Sequence, residues 1–321
     1  MQDQLVVPDE ALAPDHIDGP LHIVAPDVAY VRCGIVNVVL CGFRLAGPNA
    51  WMLIDAGVPG FVPAIHRAAS KRFSPGEVHP ERAPRPFAIL LTHGHFDHVG
   101  MLTTLAAQWN VPILAHEDER PFLTGDQSYE PPDPLVGGLM ALTSPLLPRG
   151  PINVRERLQI LASGSRSDRG PVPGMPDWEW IHTPGHTPGH ISLWREGDRT
   201  LLAGDAVVTT RQEALIDVIW PRAEVHGPPM YFTPDWESAK RSVQLLASLR
   251  PELLVTGHGR PLRGPIMREA LLRLADDFDE IAVPKRKLAQ QRSSRAAQTP
   301  RAASNQPSAA QATPAPEAAR A

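Results

Sequence analysis

Between Thr92 and His98 the chain reads Thr-His-Gly-His-Phe-Asp-His, so four side chains that can bind a metal, His93, His95, Asp97 and His98, fall within six residues. Neutral imidazoles and carboxylates are the usual protein ligands of zinc. Residues two apart in extended chain point to the same side, which pairs His93 with His95. One such cluster can satisfy two metals only in part, so further ligands are required. Three short stretches supply them: Thr183-Pro184-Gly185-His186, Leu202-Ala203-Gly204-Asp205 and Thr256-Gly257-His258-Gly259. Each sets one candidate ligand just past an apolar run and beside a glycine, which lets backbone approach a crowded site. Two cations sharing a water would lower its pKa to near neutrality, and the hydroxide could attack a polarised carbonyl. Asp97, beside that water, could handle a proton. No Gly-x-Ser-x-Gly nucleophile elbow competes with this chemistry.

The elements that must carry these residues follow from hydrophobic patterning. Leu21 to Ile54 is apolar and β-branched and reads as several strands of one meander, ended by a turn at Asp55-Ala56-Gly57. A helix fits Phe61 to Ser70, a buried strand Phe87 to Leu91, a helix Val99 to Trp109 and a strand Pro112 to Ala115. Residues 124 to 150 are broken by prolines yet carry Tyr129, Leu139, Met140 and other apolar side chains, as expected for a lid or pocket wall or a short helix packed on the core. Strands resume at Trp178 to His182, Ile191 to Arg195 and Thr200 to Ala203, the last two joined as a hairpin through Gly197-Asp198. A helix spans Pro234 to Leu249 with Thr233 as the expected N-cap, then a strand Leu253 to Val255 and a final helix Ile266 to Ile281. Two halves, each of strands followed by alternating helix and strand, predict two packed sheets with helices outside.

The order His-x-His-x-Asp-His, then a lone His, an Asp and a last His resembles the metallo-β-lactamase fold superfamily from about Leu21 to Gly264. The resemblance implies an α/β fold, an αββα sandwich of two mixed β-sheets flanked by helices. It implies that His93, His95 and His186 hold one metal, that Asp97, His98 and His258 hold a second, and that Asp205 bridges them. Asp55 matches a position that orients the site without binding metal. His190 matches a recurrent second histidine, for which a structural hydrogen bond is expected. The implied cofactors are two Zn2+, with Fe or Mn as alternatives.

The stretch His182 to His190, HTPGHTPGH, looks most like the glyoxalase II-like and lactonase-like branches, both of which open acyl bonds. The expected function is therefore metal-dependent hydrolysis of an ester, lactone or thioester in a small-molecule acyl substrate. Tyr129, Leu139, Met140 and Tyr231 are candidates for the pocket, with a packed core aromatic the somewhat favoured role for Tyr231. A hydroxyacylglutathione hydrolase and a mono-iron persulfide dioxygenase are alternatives. The first of these families carries a basic helical extension, where this sequence has one helix and a polar tail after His258. A nuclease or a non-enzymatic binding protein ranks lower.

Composition sets the remaining bounds. The 321 residues, 42 % hydrophobic and 21 % charged, suit a globular domain, and a net charge of −4 does not suggest nucleic acid. Residues 1–20 are polar and expected to be loose, 21–283 form the domain, and 284–321, rich in Ala, Pro, Gln and Arg, should be disordered. That tail carries seven basic residues against the single acid Glu317. Cys33 and Cys41 read as buried thiols. The N-terminus lacks the pattern of a secretory signal, and no apolar run is long enough to span a membrane. A soluble cytoplasmic protein, as monomer or homodimer, is expected.

Overall fold

Continuous apolar runs along short strands give each sheet two buried faces. The computed structural model describes residues 5–76, 83–136, 138–162, 168–210 and 223–289. Strands β1 (His16–Asp18), β2 (Leu21–Ala25), β3 (Val28–Cys33), β4 (Val36–Cys41), β5 (Met52–Ile54), β6 (Ile89–Leu90), β7 (Ile113–Ala115) and β8 (Leu158–Ile160) form an eight-stranded sheet in chain order. Its first five strands pair antiparallel, and β5 through β8 pair parallel. The second sheet has the order β14-β13-β12-β11-β10-β9. It is built from β9 (Arg169–Val172), β10 (Met175–His182), β11 (Ile191–Arg195), β12 (Thr200–Leu202), β13 (Leu253–Val255) and β14 (Leu262–Arg263). Only β12 and β13 pair parallel in it.

Successive residues belong to different cores, as the period of two in a strand requires. Met52, Ile54, Leu90 and Leu114 face Trp180, Leu193, Leu202 and Val255 in the core between the sheets. Their neighbours Leu53, Ile89 and Ile113 face outward onto the helices Val62–Phe73 and Leu102–Trp109. On the other side Ile181, Leu201 and Leu254 pack against the helices Trp236–Ser248 and Gly264–Asp276. This is the expected αββα sandwich.

Several expectations are corrected. The stretch expected to be loose is packed from Leu5 on, with Leu5, Val7, Ala11 and Ala13 buried. The Val7 amide donates to the Ala223 carbonyl at 2.9 Å and β1 pairs with β2, so four apolar residues anchor a polar segment. Thr233 is not the N-cap of Trp236–Ser248. Asp235 caps it, its carboxylate accepting from the Ser238 amide at 3.0 Å. The final helix is two, Gly264–Asp276 and Phe278–Ile281, parted at Asp277. Strands β1, β8, β9 and β14 were not anticipated. Residues 124–150 hold a short helix, Leu139–Thr143, flanked by single 3-10 turns, and Ala141 packs on Tyr231 and Phe232. At the start of the tail, Leu288 packs on the domain core, and Lys287 pairs with Asp133 at 3.4 Å. Residues 290–321, to which most of the tail expectation refers, lie outside the described residues. Cys33 and Cys41 are free and buried, and burial pushes each thiol up to about 12. Among the described residues no helix is long and apolar enough to cross a membrane.

Candidate metal centre

Four strands deliver the candidate ligands from their carboxyl ends: β6 leads to His93 through His98, β10 to His186, β12 to Asp205 and β13 to His258. All seven side chains are buried. His93 Nε2 lies 3.1 Å from His95 Nδ1, which lies 2.9 Å from His186 Nε2. Asp97, His98 and His258 form a second group. In it His258 Nε2 is 3.4 Å and His98 Nε2 4.0 Å from Asp97 Oδ2. Asp205 stands between the groups, 3.5 Å from His186 Nε2, 3.5 Å from His98 Nε2 and 3.1 Å from His258 Nε2.

For four of the five rings, His93, His98, His186 and His258, the backing partner determines which nitrogen faces inward. His98 Nδ1 lies 2.8 Å from Asp55 Oδ2, and His258 Nδ1 lies 2.7 Å from the Ile35 carbonyl oxygen. Each acceptor takes the Nδ1 proton and leaves a lone pair on the inward Nε2. The Thr92 hydroxyl donates to Asp55 Oδ2 and so can accept from His93 Nδ1 at 3.1 Å. The Thr233 hydroxyl donates to the Pro229 carbonyl and accepts from His186 Nδ1 at 3.3 Å. That commitment explains why Thr233 does not cap the following helix. Inward-facing lone pairs at these separations repel unless a proton or a metal cation lies between them. His98 Nε2 and Asp205 Oδ1 are buried with no hydrogen-bond partner, the condition that a bound cation relieves. The donor set fits two divalent ions.

Charge distribution agrees with this division. Burial, helped by the neighbouring imidazoles, holds His93 and His186 well below the ordinary imidazole range and brings His95 to about 3. These three rings are neutral and available as ligands. Burial is also the largest influence on Asp205 and works against its charge, yet His258 and His98 overcome it and hold the carboxyl well below the usual carboxylate range.

Asp55 sits behind the second group with a left-handed backbone, φ 63°. Its Oδ1 accepts from the Thr92 amide at 2.8 Å, while Oδ2 serves Thr92 and His98. Asp55→Asn puts a donor where three donors converge. Metal analysis of this variant is expected to show the second ion bound about 10–100-fold more weakly, with a smaller loss at the first, whose His93 is backed by Asp55 only through Thr92. His190 does not face the ligands. Its Nδ1 meets Thr183 Oγ1 at 2.9 Å and its Nε2 accepts from the Asp205 amide at 2.9 Å, so it holds the Asp205 loop.

A cleft opens over His95 and His186, walled by Phe122, Tyr129, Tyr231 and Phe232. Of the four expected pocket residues, Tyr129 and Tyr231 line it, while the side chains of Leu139 and Met140 lie outside the described residues. Two features escaped the sequence reading. Glu119 lies in the acidic run Glu117-Asp118-Glu119 and is 1 % exposed, but nothing local sets it apart from its exposed neighbours. His116, Asp118 and His182 also come together. There the rings stack at 4.1 Å, His116 Nδ1 accepts from the Asp118 amide and His182 Nε2 meets the Pro188 carbonyl oxygen, so backbone already occupies the nitrogens.

Comparison with known proteins places this centre in a family. Residues 31–258 match the sequence profile of the metallo-beta-lactamase superfamily. The chain is 45 % identical over 235 residues to the probable metallo-hydrolase YflN of Bacillus subtilis, covering 73 % of this chain and 84 % of that protein. It is 27 % identical over 240 residues to the probable metallo-hydrolase YybB of the same organism, covering 70 % and 89 %. Among solved structures, a beta-lactamase domain protein from Burkholderia ambifaria shares the fold, with TM-score 0.56 and 20 % identity over 85 % of this chain and 81 % of that one. The profile runs from the third strand to the last histidine of the centre, and the chain belongs to the metallo-beta-lactamase superfamily.

Proposed function

We propose that this chain is a dinuclear metal-dependent hydrolase of a small acyl substrate, an ester, lactone or thioester, with zinc as the resident metal. The observation that carries the reading is the pair of ligand groups joined by Asp205, with His98 Nε2 and Asp205 Oδ1 left without partners. Two relatives named as probable metallo-hydrolases support it. His93, His95 and His186 would hold one ion and Asp97, His98 and His258 the other. Bound there, the ions would acidify a water and polarise a carbonyl oxygen. The chain's own residues do the rest. Asp97, 7 % exposed and the least enclosed of the two ligand carboxylates, is placed to take up and return a proton. Asp55, Thr92, Thr233 and the Ile35 carbonyl hold the imidazoles in one tautomer. Phe122, Tyr129, Tyr231 and Phe232 bind the apolar part of the substrate and exclude water beside His95 and His186.

The cleft also favours a neutral substrate over a glutathione thioester. No lysine or arginine is among the described residues lining it, and Glu130 adds negative charge at its wall. A glutathione moiety, which carries two carboxylates, would find no cationic side chain among these described residues. The test compares turnover of an acyl lactone and an S-acyl glutathione by the metal-analysed protein, each with and without chelator. Chelator-sensitive lactone turnover with little thioester turnover is expected. The reverse preference would restore the glutathione reading. Turnover of the lactone that survives complete removal of metal would overturn the metal-dependent mechanism itself.

A further inference from the structure

We propose that Glu119 is a positioning residue whose carboxylate locks together the two loops that carry His93, His95 and His186 and ties the aromatic wall of the cleft to them. The inference rests on the reading of these histidines as one metal's ligands. Glu119 Oε2 accepts from the Gly94 amide, between His93 and His95, at 3.0 Å, and from the Tyr129 hydroxyl. Its Oε1 accepts from Thr187 Oγ1 at 2.6 Å and from the Gly189 amide at 2.9 Å, just after His186. One ionised carboxylate offers about four acceptor positions, and four donors meet them here.

The approach is close enough to require glycine on both loops. A Cβ on Gly94 would lie 2.5 Å from the Tyr129 hydroxyl, and one on Gly189 would lie 2.6 Å from the Glu119 nitrogen. Tyr129 closes the third side. Its hydroxyl also accepts from the Gly94 amide at 3.0 Å, and its ring packs on Phe122 at 3.9 Å and on His95 at 4.6 Å. A carboxylate buried at 1 % exposure and served only by these neutral donors is costly to hold in a fold. It is therefore a specific device, and what it aligns are the loops of one half of the centre. The residues that hold the other half, Asp55 and the Ile35 carbonyl, do not touch it.

Glu119→Gln keeps the shape but turns one acceptor into a donor facing two donors. Titration of the metal-free protein with Co2+, followed by absorption and by metal analysis, should give two tight sites in the parent chain. In the variant, one site should be weakened about 10–100-fold and the other retained. Adding His258→Ala, which removes a ligand of the retained site, should then abolish tight binding. Glu117→Gln, on the same turn but exposed, should bind as the parent does. Amide exchange in the metal-free protein reads the lock directly, because Gly94 and Gly189 should exchange at least about tenfold faster in Glu119→Gln. If that variant does not fold, Thr187→Val removes one donor of similar shape and should weaken one site roughly tenfold. Parent-like metal affinity together with unchanged exchange at both glycines would overturn the proposal. A parent chain that binds no metal would instead sink the metal-dependent reading, while the exchange result would still decide whether Glu119 locks the loops.

Discussion

Asp205→Ala is expected to lower turnover about a thousandfold or more, equivalent to ~4 kcal/mol of transition-state stabilisation. Its carboxylate lies within 3.5 Å of imidazoles from both ligand groups, His186 on one side and His98 and His258 on the other. Without it neither group is complete, and the two cations would face each other with one fewer negative charge between them. Metal analysis should show fewer than two ions per chain. The fold should persist, since the Asp205 backbone amide still donates to His190 Nε2. A variant that keeps both ions and turns over within tenfold of the parent would remove Asp205 from the bridging role.

Gly257→Ala should be nearly as damaging although glycine supplies no ligand. A Cβ at this position would collide with Asp205 Oδ1 and lie 2.9 Å from His98 Cε1. The backbone cannot retreat easily, because the Gly257 amide donates to the Gly204 carbonyl at 2.8 Å and its own carbonyl accepts from the Asn37 amide at 2.7 Å. The added methyl must therefore move the bridging carboxylate or the His98 ring. A displacement of 1 Å in a reacting constellation costs on the order of a hundredfold. Turnover should fall by at least about that factor. Gly197→Ala, in a turn where a Cβ meets nothing within 4 Å, is the matching control and should leave turnover unchanged. Equal activity in the two variants would show that the centre tolerates crowding that the geometry forbids.

The candidate ligands were readable because each group follows a short apolar strand, with a glycine beside His93, His95, His186, Asp205 and His258. The alternation that sends Met52 and Leu53 into different cores was readable for the same reason, since strand pleating is a local property. Local patterns failed where a side chain serves a distant one. Thr233 looks like a helix cap, but its hydroxyl is committed to His186 and Pro229, and Asp235 caps instead. Residues 5–20 look polar, but Leu5, Val7 and Ala11 join the core between the second sheet and its helices, and Ala13 joins the core between the sheets.

By itself, then, the sequence determined the chemical inventory: five histidines and two aspartates at strand ends, in an order that specifies the family, and two sheets with apolar residues on both faces. Tertiary structure alone decided which nitrogen of His93, His98, His186 and His258 faces inward, since that depends on the acceptor behind the ring, a residue as remote as Ile35 for His258. It decided that Glu119 is buried among four donors while Glu117, two residues earlier, is exposed. Burial and hydrogen-bond partnership depend on what packs against a residue, and in this fold the partners arrive from separate loops along the edge of two sheets.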